Sequence, residues 1–127
     1  MTRDEMKKRT KTYANRIVKL CGALSDDWIA QTLGKQLLRS GTSVGANYRA
    51  VCRAKSNSDF INKLRIVEEE CDESLFWMEL PVDNNLIQAS RPGGLMREAD
   101  EFLPSSSHQL RPHARHETRK SDIVNRK

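Results

Sequence analysis

No stretch of this 127-residue sequence approaches the roughly 18 consecutive apolar residues of a membrane-spanning helix, and its first residues lack the apolar segment of a secretory signal. Cysteine is scarce as well. The three cysteines, Cys21, Cys52 and Cys71, are odd in number and widely spaced, which argues against a disulfide framework or a paired-ligand metal site. We therefore expect a cytoplasmic protein with reduced, buried thiols and no membrane association.

The sequence also lacks the groups that catalysis and cofactor binding require. All three histidines lie beyond residue 103, so no cysteine has a nearby histidine that could act as its base. The segment from Gly41 to Gly45 lacks the lysine, the full glycine spacing and the preceding strand of a phosphate-binding loop. We expect no enzymatic activity, no cofactor and no metal site.

Charge is abundant and unevenly distributed. The formal net charge is +5. Residues 1–102 contain 16 Lys and Arg against 15 Asp and Glu, whereas residues 103–127 contain 6 against 2. Residues 35–65 hold seven basic residues and one acid, and residues 66–79 hold six acids and no base. This separation suits either nucleic-acid binding or pairing between the flanks of two copies.

Helical periodicity dominates the first two-thirds of the chain. Three apolar stripes recur at steps of three and four: Tyr13, Ile17, Leu20 and Leu24; Ile29, Leu33, Leu37, Val44, Tyr48, Val51 and Cys52; Phe60, Leu64, Val67, Cys71, Leu75 and Met78. The second stripe keeps its phase across Gly41 and Gly45, which predicts one long helix through the glycines. Ser25 or Asp26 is the expected cap of this helix, and Ser56 or Ser58 that of the next.

The chain beyond Met78 carries weaker signals. Pro81 is expected near the end of the third helix, with Leu80 displaced from helical torsions. Turns are predicted at residues 83–85 and 91–94. A short fourth stripe follows and stops at Pro104; it consists of Leu95, Met96, Ala99, Phe102 and Leu103.

These patterns predict an all-α antiparallel bundle with a long second helix and a short or disrupted fourth helix. The predicted domain spans residues 1–103. Residues 104–127 are rich in Ser, Pro, His and Arg, and are expected to form a basic, disordered tail.

The basic residues around the turn between the second and third helices are the candidate nucleic-acid contacts. They would converge on one end of the bundle and meet phosphates, and they are Arg39, Arg49, Arg53, Lys55 and Lys63. The alternative is a charged, solvated face. Both interpretations stay open.

Two further groups are candidate helix or subunit contacts. Gly41 and Gly45 would let another helix approach closely. Glu69 and Glu73 belong to an acidic face of the third helix, which we interpret as solvated or ion-paired, with Arg49 and Arg53 as candidate partners. A di-metal carboxylate site is disfavoured because no histidine accompanies these acids.

Several runs of the sequence resemble a known family. They are Arg9–Tyr13, Ile17–Leu20, Gly34–Arg49, Cys52–Ser56, Phe60–Leu64, Ile66–Leu80 and Arg97–Glu101. Together they are similar to the four-helix-bundle protein family encoded by intervening sequences of bacterial 23S rRNA genes, over about Arg9 to Leu103.

The resemblance implies an up-down four-helix bundle with a long second helix, which assembles into a homopentameric barrel. The similar accessory variability proteins of diversity-generating retroelements bind nucleic acid and a reverse transcriptase through basic surfaces. The family itself has no established activity and no catalytic residues to carry over. This chain departs from the family pattern at Pro81 and from Pro104 to His116, where a long apolar fourth helix is expected; a shifted reading frame is our hypothesis for the second departure.

Overall fold

The computed structural model describes residues 1–102, which form four helices. They are α1 (Arg3–Gly22), α2 (Trp28–Val51), α3 (Asn57–Asp83) and α4 (Ser90–Phe102). Each helix packs on the next along the chain, and α4 closes the bundle against α1. The predicted up-down four-helix bundle is therefore confirmed. Leu103 and the predicted tail lie outside the described residues.

The predicted stripes supply the core of the bundle. Its buried members come from all four helices: Tyr13, Ile17, Leu20, Leu37, Val44, Tyr48, Val51, Val67, Cys71, Leu75, Met78, Leu95, Ala99 and Phe102. The ring of Tyr13 meets the edge of Phe102 at a centroid distance of 5.2 Å, which ties α1 to α4. The Tyr13 hydroxyl lies 2.7 Å from Ser74 Oγ, so this buried polar group has a partner in α3.

Side-chain caps begin the first three helices. Thr2 accepts a hydrogen bond from the amide of Glu5, and Ser56 accepts one from the amide of Asp59. The cap of α2 is Asp27, whose carboxylate accepts from the amides of the second and third helical residues. The prediction of Ser25 or Asp26 was therefore wrong by two residues or one, whereas Ser56 is confirmed as the cap of α3.

The long second helix is confirmed, since α2 runs for 24 residues without a break at Gly41 or Gly45. A Cβ atom at Gly41 would lie 2.8 Å from both Cγ1 and Cγ2 of Ile17, and one at Gly45 would lie 3.1 Å from the carbonyl oxygen of Thr10. At these two positions α1 occupies the space that a side chain would fill.

Pro81 lies near the end of α3, as predicted, but its effect on the helix differs from the prediction. Pro81 lies inside the helix, which continues to Asp83, so the expected displacement of Leu80 from helical torsions is wrong. The helix thus ends two residues after Pro81 and is followed by a tight turn. There Asn85 takes a positive φ of 59°, a region that asparagine tolerates, and the amide of Leu86 donates to the carbonyl of Pro81 at 2.8 Å.

The prediction of a turn between helices at residues 91–94 is wrong, because these residues belong to the first turns of α4. Pro92 is tolerated there because the first amides of a helix have no intrahelical acceptor. Neither Gly93 nor Gly94 takes a positive φ, so both fit helical torsions. The helix still has only 13 residues within the described part of the chain.

Candidate nucleic-acid interface

The five predicted phosphate contacts do not share one surface role. Arg39 joins α2 to α3: its guanidinium lies 3.1 Å from Glu70 Oε2 and forms a second ion pair with Glu73. The expected partners of the acidic face were Arg49 and Arg53, so that part of the interpretation is corrected. Both ion pairs of Arg39 are with acids of its own chain.

Lys63 is also engaged within the chain. Its Nζ lies 2.6 Å from Asp59 Oδ2, and the amide of Lys55 donates to the same oxygen at 3.0 Å. The hydrogen bond from Lys63, followed by that from the Lys55 amide, holds the pKa of Asp59 below its usual value. These contacts secure the start of α3, and the Lys55 side chain remains exposed beside them.

Arg49 and Arg53 lie in a different environment. Together with Lys7 and Lys11 of α1 they line a cleft of about 290 Å³, which we name the α1–α2 cleft. The remaining lining residues are small: Ala14, Thr42, Gly45 and Ala46. No acidic residue lines this cleft.

Helix geometry explains how the four cations meet. Lys7 and Lys11 are four residues apart in α1, which places both on one helix face about 6 Å apart along the axis. Arg49 lies in the last turn of α2, and Arg53 lies two residues beyond the end of that helix at Val51. The antiparallel packing of α1 and α2 then sets the two pairs opposite each other. Gly45 brings the helices close at the floor of the cleft, where its missing side chain leaves room for the backbone of α1.

Electrostatics make the cleft suited to an anion. All four cations are exposed, and none forms an ion pair with another residue of the described chain, 1–102. Four like charges repel one another at close range, so an anion between them relieves repulsion as well as adding attraction. Lysine and arginine contact phosphate oxygens with charge-assisted hydrogen bonds.

Lys7 and Lys11 were absent from the sequence-based candidates. Those candidates were chosen because they cluster along the chain between residues 35 and 65, whereas α1 is distant in sequence. The available signal was a basic pair with four-residue spacing near the start of α1, which antiparallel packing places beside the end of α2. Arg49 and Arg53 are the predicted residues that the structure brings together with them.

The residues proposed as helix or subunit contacts lie elsewhere. Gly41 and Gly45 face α1 of the same chain. Glu73 pairs with Arg39, and Glu69 is exposed on α3. Near them on the surface of α3, Phe76 is 49% exposed and packs edge-on against Trp77.

The described residues contain no cluster of metal ligands and no helix that could cross a membrane. Within residues 1–102, no group of three or more His, Cys, Asp or Glu side chains is arranged to hold a metal ion. None of the helices α1 to α4 combines the length and apolarity that crossing a bilayer requires.

A small antiparallel four-helix bundle with a cationic cleft between its first two helices is the class of protein that these features define. Within that class, the chain belongs to the 23S rRNA-intervening sequence protein family, whose model matches residues 3–105. The family resemblance noted from the sequence is thereby confirmed.

A solved structure supports the assignment. The chain is 36% identical to a protein of unknown function from the S23 ribosomal protein family of Bacteroides thetaiotaomicron, with a TM-score of 0.71. The likeness covers 76% of this chain and 90% of that one. No curated protein sequence matches this chain.

Proposed function

We propose that the protein binds nucleic acid through the α1–α2 cleft and catalyses no reaction on it. The observation that carries this proposal is the convergence of Lys7, Lys11, Arg49 and Arg53 on a cleft whose lining contains no acid. The phosphate backbone is the polyanion with regularly spaced charges that such a cleft fits. The lining also contains no aromatic ring for base stacking, which favours contact with the backbone over recognition of sequence.

A salt series tests the proposal. We expect a fluorescein-labelled 12-nucleotide RNA to bind at 50 mM NaCl, with a logarithm of affinity that falls linearly with the logarithm of salt concentration. Each phosphate contact on a single strand contributes a slope of about −0.7, so removing two contacts reduces the slope by about 1.4 and the affinity at 0.1 M salt by about 25-fold.

The variant Arg49→Ala/Arg53→Ala should show this loss, as should Lys7→Ala/Lys11→Ala. The matched control is Lys35→Ala/Arg65→Ala, which removes the same charge from exposed residues that do not line the cleft. Equal losses in all three variants would attribute binding to net charge alone. No binding by the unmodified protein at low salt would reject the function.

A self-associating scaffold is the second candidate, and exposed apolar side chains of α2 and α3 favour it. Trp28 is 74% exposed and Ile29 is 43% exposed at the start of α2. Phe76 is also exposed and lies in the C-terminal half of α3, which runs antiparallel to α2. Desolvating such side chains drives association between copies. The family resemblance makes a homopentamer the assembly to test.

Light scattering after size exclusion distinguishes this role. Phe76→Ser should lower the assembled mass, and so should Glu69→Lys if basic and acidic flanks meet between copies. Glu69 is the cleaner site for charge reversal, because Glu73 already pairs with Arg39 inside the chain. A constant mass of one 14.5 kDa chain at every concentration would reject the scaffold.

A further inference from the structure

A second basic cleft lies between the C-terminal half of α1 and the start of α4. Its volume is about 240 Å³, and we name it the α1–α4 cleft after the residues that line it: Arg16, Lys19, Leu20, Arg91 and Leu95. Three of these five side chains are cationic, and no acid lines the cleft. None of the three cations forms an ion pair with any residue between Met1 and Phe102.

Arg16 packs against α4 at Gly94, which has no side chain. A Cβ atom at Gly94 would lie 2.8 Å from Nη2 of Arg16, so the Arg16 guanidinium occupies the space that glycine leaves. Arg97 approaches the same turn, with Nη1 3.6 Å from the position of a Cβ on Gly93. The first turn of α4 contains no acid, and its positive dipole end adds to the field of these side chains.

Glu98 and Glu101 of α4 form ion pairs with Arg9 and not with the cations of this cleft. Glu98 lies one to two turns further along, where Oε1 is 2.5 Å from Nη2 of Arg9. Glu101 is the second partner of Arg9, at 3.4 Å. Arg9 therefore competes for these two carboxylates, and neither of them pairs with Arg16, Lys19 or Arg91.

Helix α1 connects the two clefts. From Lys7 to Lys19 it carries six Lys and Arg and no Asp or Glu, and all of these cations except Arg9 are exposed. Lys11 of the first cleft and Arg16 of the second are five residues apart, or about 7.5 Å along the helix axis. The solvent-facing surface of α1 is thus a basic ridge with a cationic cleft on either side.

We infer that the α1–α4 cleft binds a second phosphodiester group of the same nucleic-acid strand, which crosses the exposed face of α1 from one cleft to the other. This inference rests on the proposed function and adds its second contact point and the path of the strand. Leu20 and Leu95, which line the α1–α4 cleft, are buried core residues, and the lining offers no aromatic ring to a base.

The test compares charge removal in the two clefts with the same labelled 12-nucleotide RNA at 50 to 200 mM NaCl. Arg16→Ala/Arg91→Ala should weaken binding by about 25-fold at 0.1 M salt and reduce the salt slope by about 1.4, as two lost single-strand contacts require. Combining it with Arg49→Ala/Arg53→Ala should multiply the two losses. Lys35→Ala/Arg65→Ala remains the matched charge control.

Gly94→Ala tests whether binding depends on the position of the Arg16 guanidinium and not only on its charge. It leaves the net charge unchanged and suits helical torsions, since Gly94 has no positive φ, but it displaces the Arg16 guanidinium. We expect an affinity loss of about 5-fold at 0.1 M salt, equivalent to one contact. Circular dichroism of every variant checks that the helices are retained.

The outcomes of the two proposals are distinguishable. Wild-type binding that weakens in Arg49→Ala/Arg53→Ala, but not in Arg16→Ala/Arg91→Ala beyond the charge control, would overturn the second cleft and leave the first. Loss in both pairs together with an effect of Gly94→Ala supports a strand across α1. Absence of wild-type binding removes both proposals.

Discussion

Replacing Gly41 with alanine tests whether the close approach of α1 and α2 depends on the missing side chain. The added Cβ would lie 2.8 Å from Cγ1 and Cγ2 of Ile17 and 3.0 Å from its Cδ1. Ile17 is fully buried, so its branched side chain has no free space into which it can turn. The helices must therefore move apart or Ile17 must leave its preferred rotamer.

The expected magnitude is a balance of two terms. Overpacking a buried site costs about 1–3 kcal/mol, and exchanging glycine for alanine inside a helix returns about 1 kcal/mol. Gly22→Ala is the matched control, because nothing lies within 4 Å of its added Cβ. That control should gain about 0.4–1 kcal/mol. Gly41→Ala should therefore be less stable than Gly22→Ala by about 1–3 kcal/mol.

Urea unfolding followed by circular dichroism gives the free energies, and a double-mutant cycle identifies the contact. Ile17→Ala alone should cost about 2–5 kcal/mol, because it leaves a cavity. In that background Gly41→Ala should become stabilising, since its methyl group enters the vacated space. A coupling energy near zero, or equal gains from Gly41→Ala and Gly22→Ala in the native background, would refute the steric argument.

Three further predictions concern buried polar groups and a cap. Ser74→Ala should destabilise the bundle by about 1–3 kcal/mol in urea unfolding, because the buried Tyr13 hydroxyl loses its partner at 2.7 Å; an unchanged midpoint would contradict this. Burial raises the pKa of Tyr13 and raises that of Cys21 to about 11, so stability should fall as the pH rises above roughly 9, where the unfolded chain releases these protons first. Tyr13→Phe should make that alkaline decline shallower by up to about 1.4 kcal/mol per pH unit above pH 10, and identical slopes would exclude Tyr13 as its source. Asp27→Ala should cost about 0.5–2 kcal/mol in thermal unfolding, because the amides of Ile29 and Ala30 lose their acceptor, whereas the neighbouring Asp26→Ala serves as control and should have little effect.

The fold was predictable because its apolar stripes are strong and in phase. Leu37, Val44 and Tyr48 keep their rhythm across the two glycines, and the helix there is continuous. The errors lie where short-range rules compete with tertiary contacts. Pro81 is itself buried, and packing holds it inside the last turns of α3 although its ring disfavours helical torsions before it.

The candidate site was harder to predict than the fold. Arg39 and Lys63 were grouped with Arg49 because all three cluster along the chain. In the structure Arg39 instead forms ion pairs with Glu70 and Glu73. Lys63 forms an ion pair with Asp59. Which cation meets an acid depends on the register between helices. An apolar stripe fixes which face of a helix is buried, but leaves open which residues of neighbouring helices stand side by side.

The unequal lengths of the helices have a consequence for how the protein opens. Helix α4 has 13 residues beside the 27 of α3, and its buried contribution consists mainly of Leu95, Ala99 and Phe102. A helix with so few buried side chains among the described residues should detach at a lower free energy than the whole chain unfolds, so its amide protons should exchange with solvent ahead of those in α2. Arg16 of α1 and Arg91 of α4 line the same cleft, so an anion bound by both would join the two helices. Such an anion would slow amide exchange in α4.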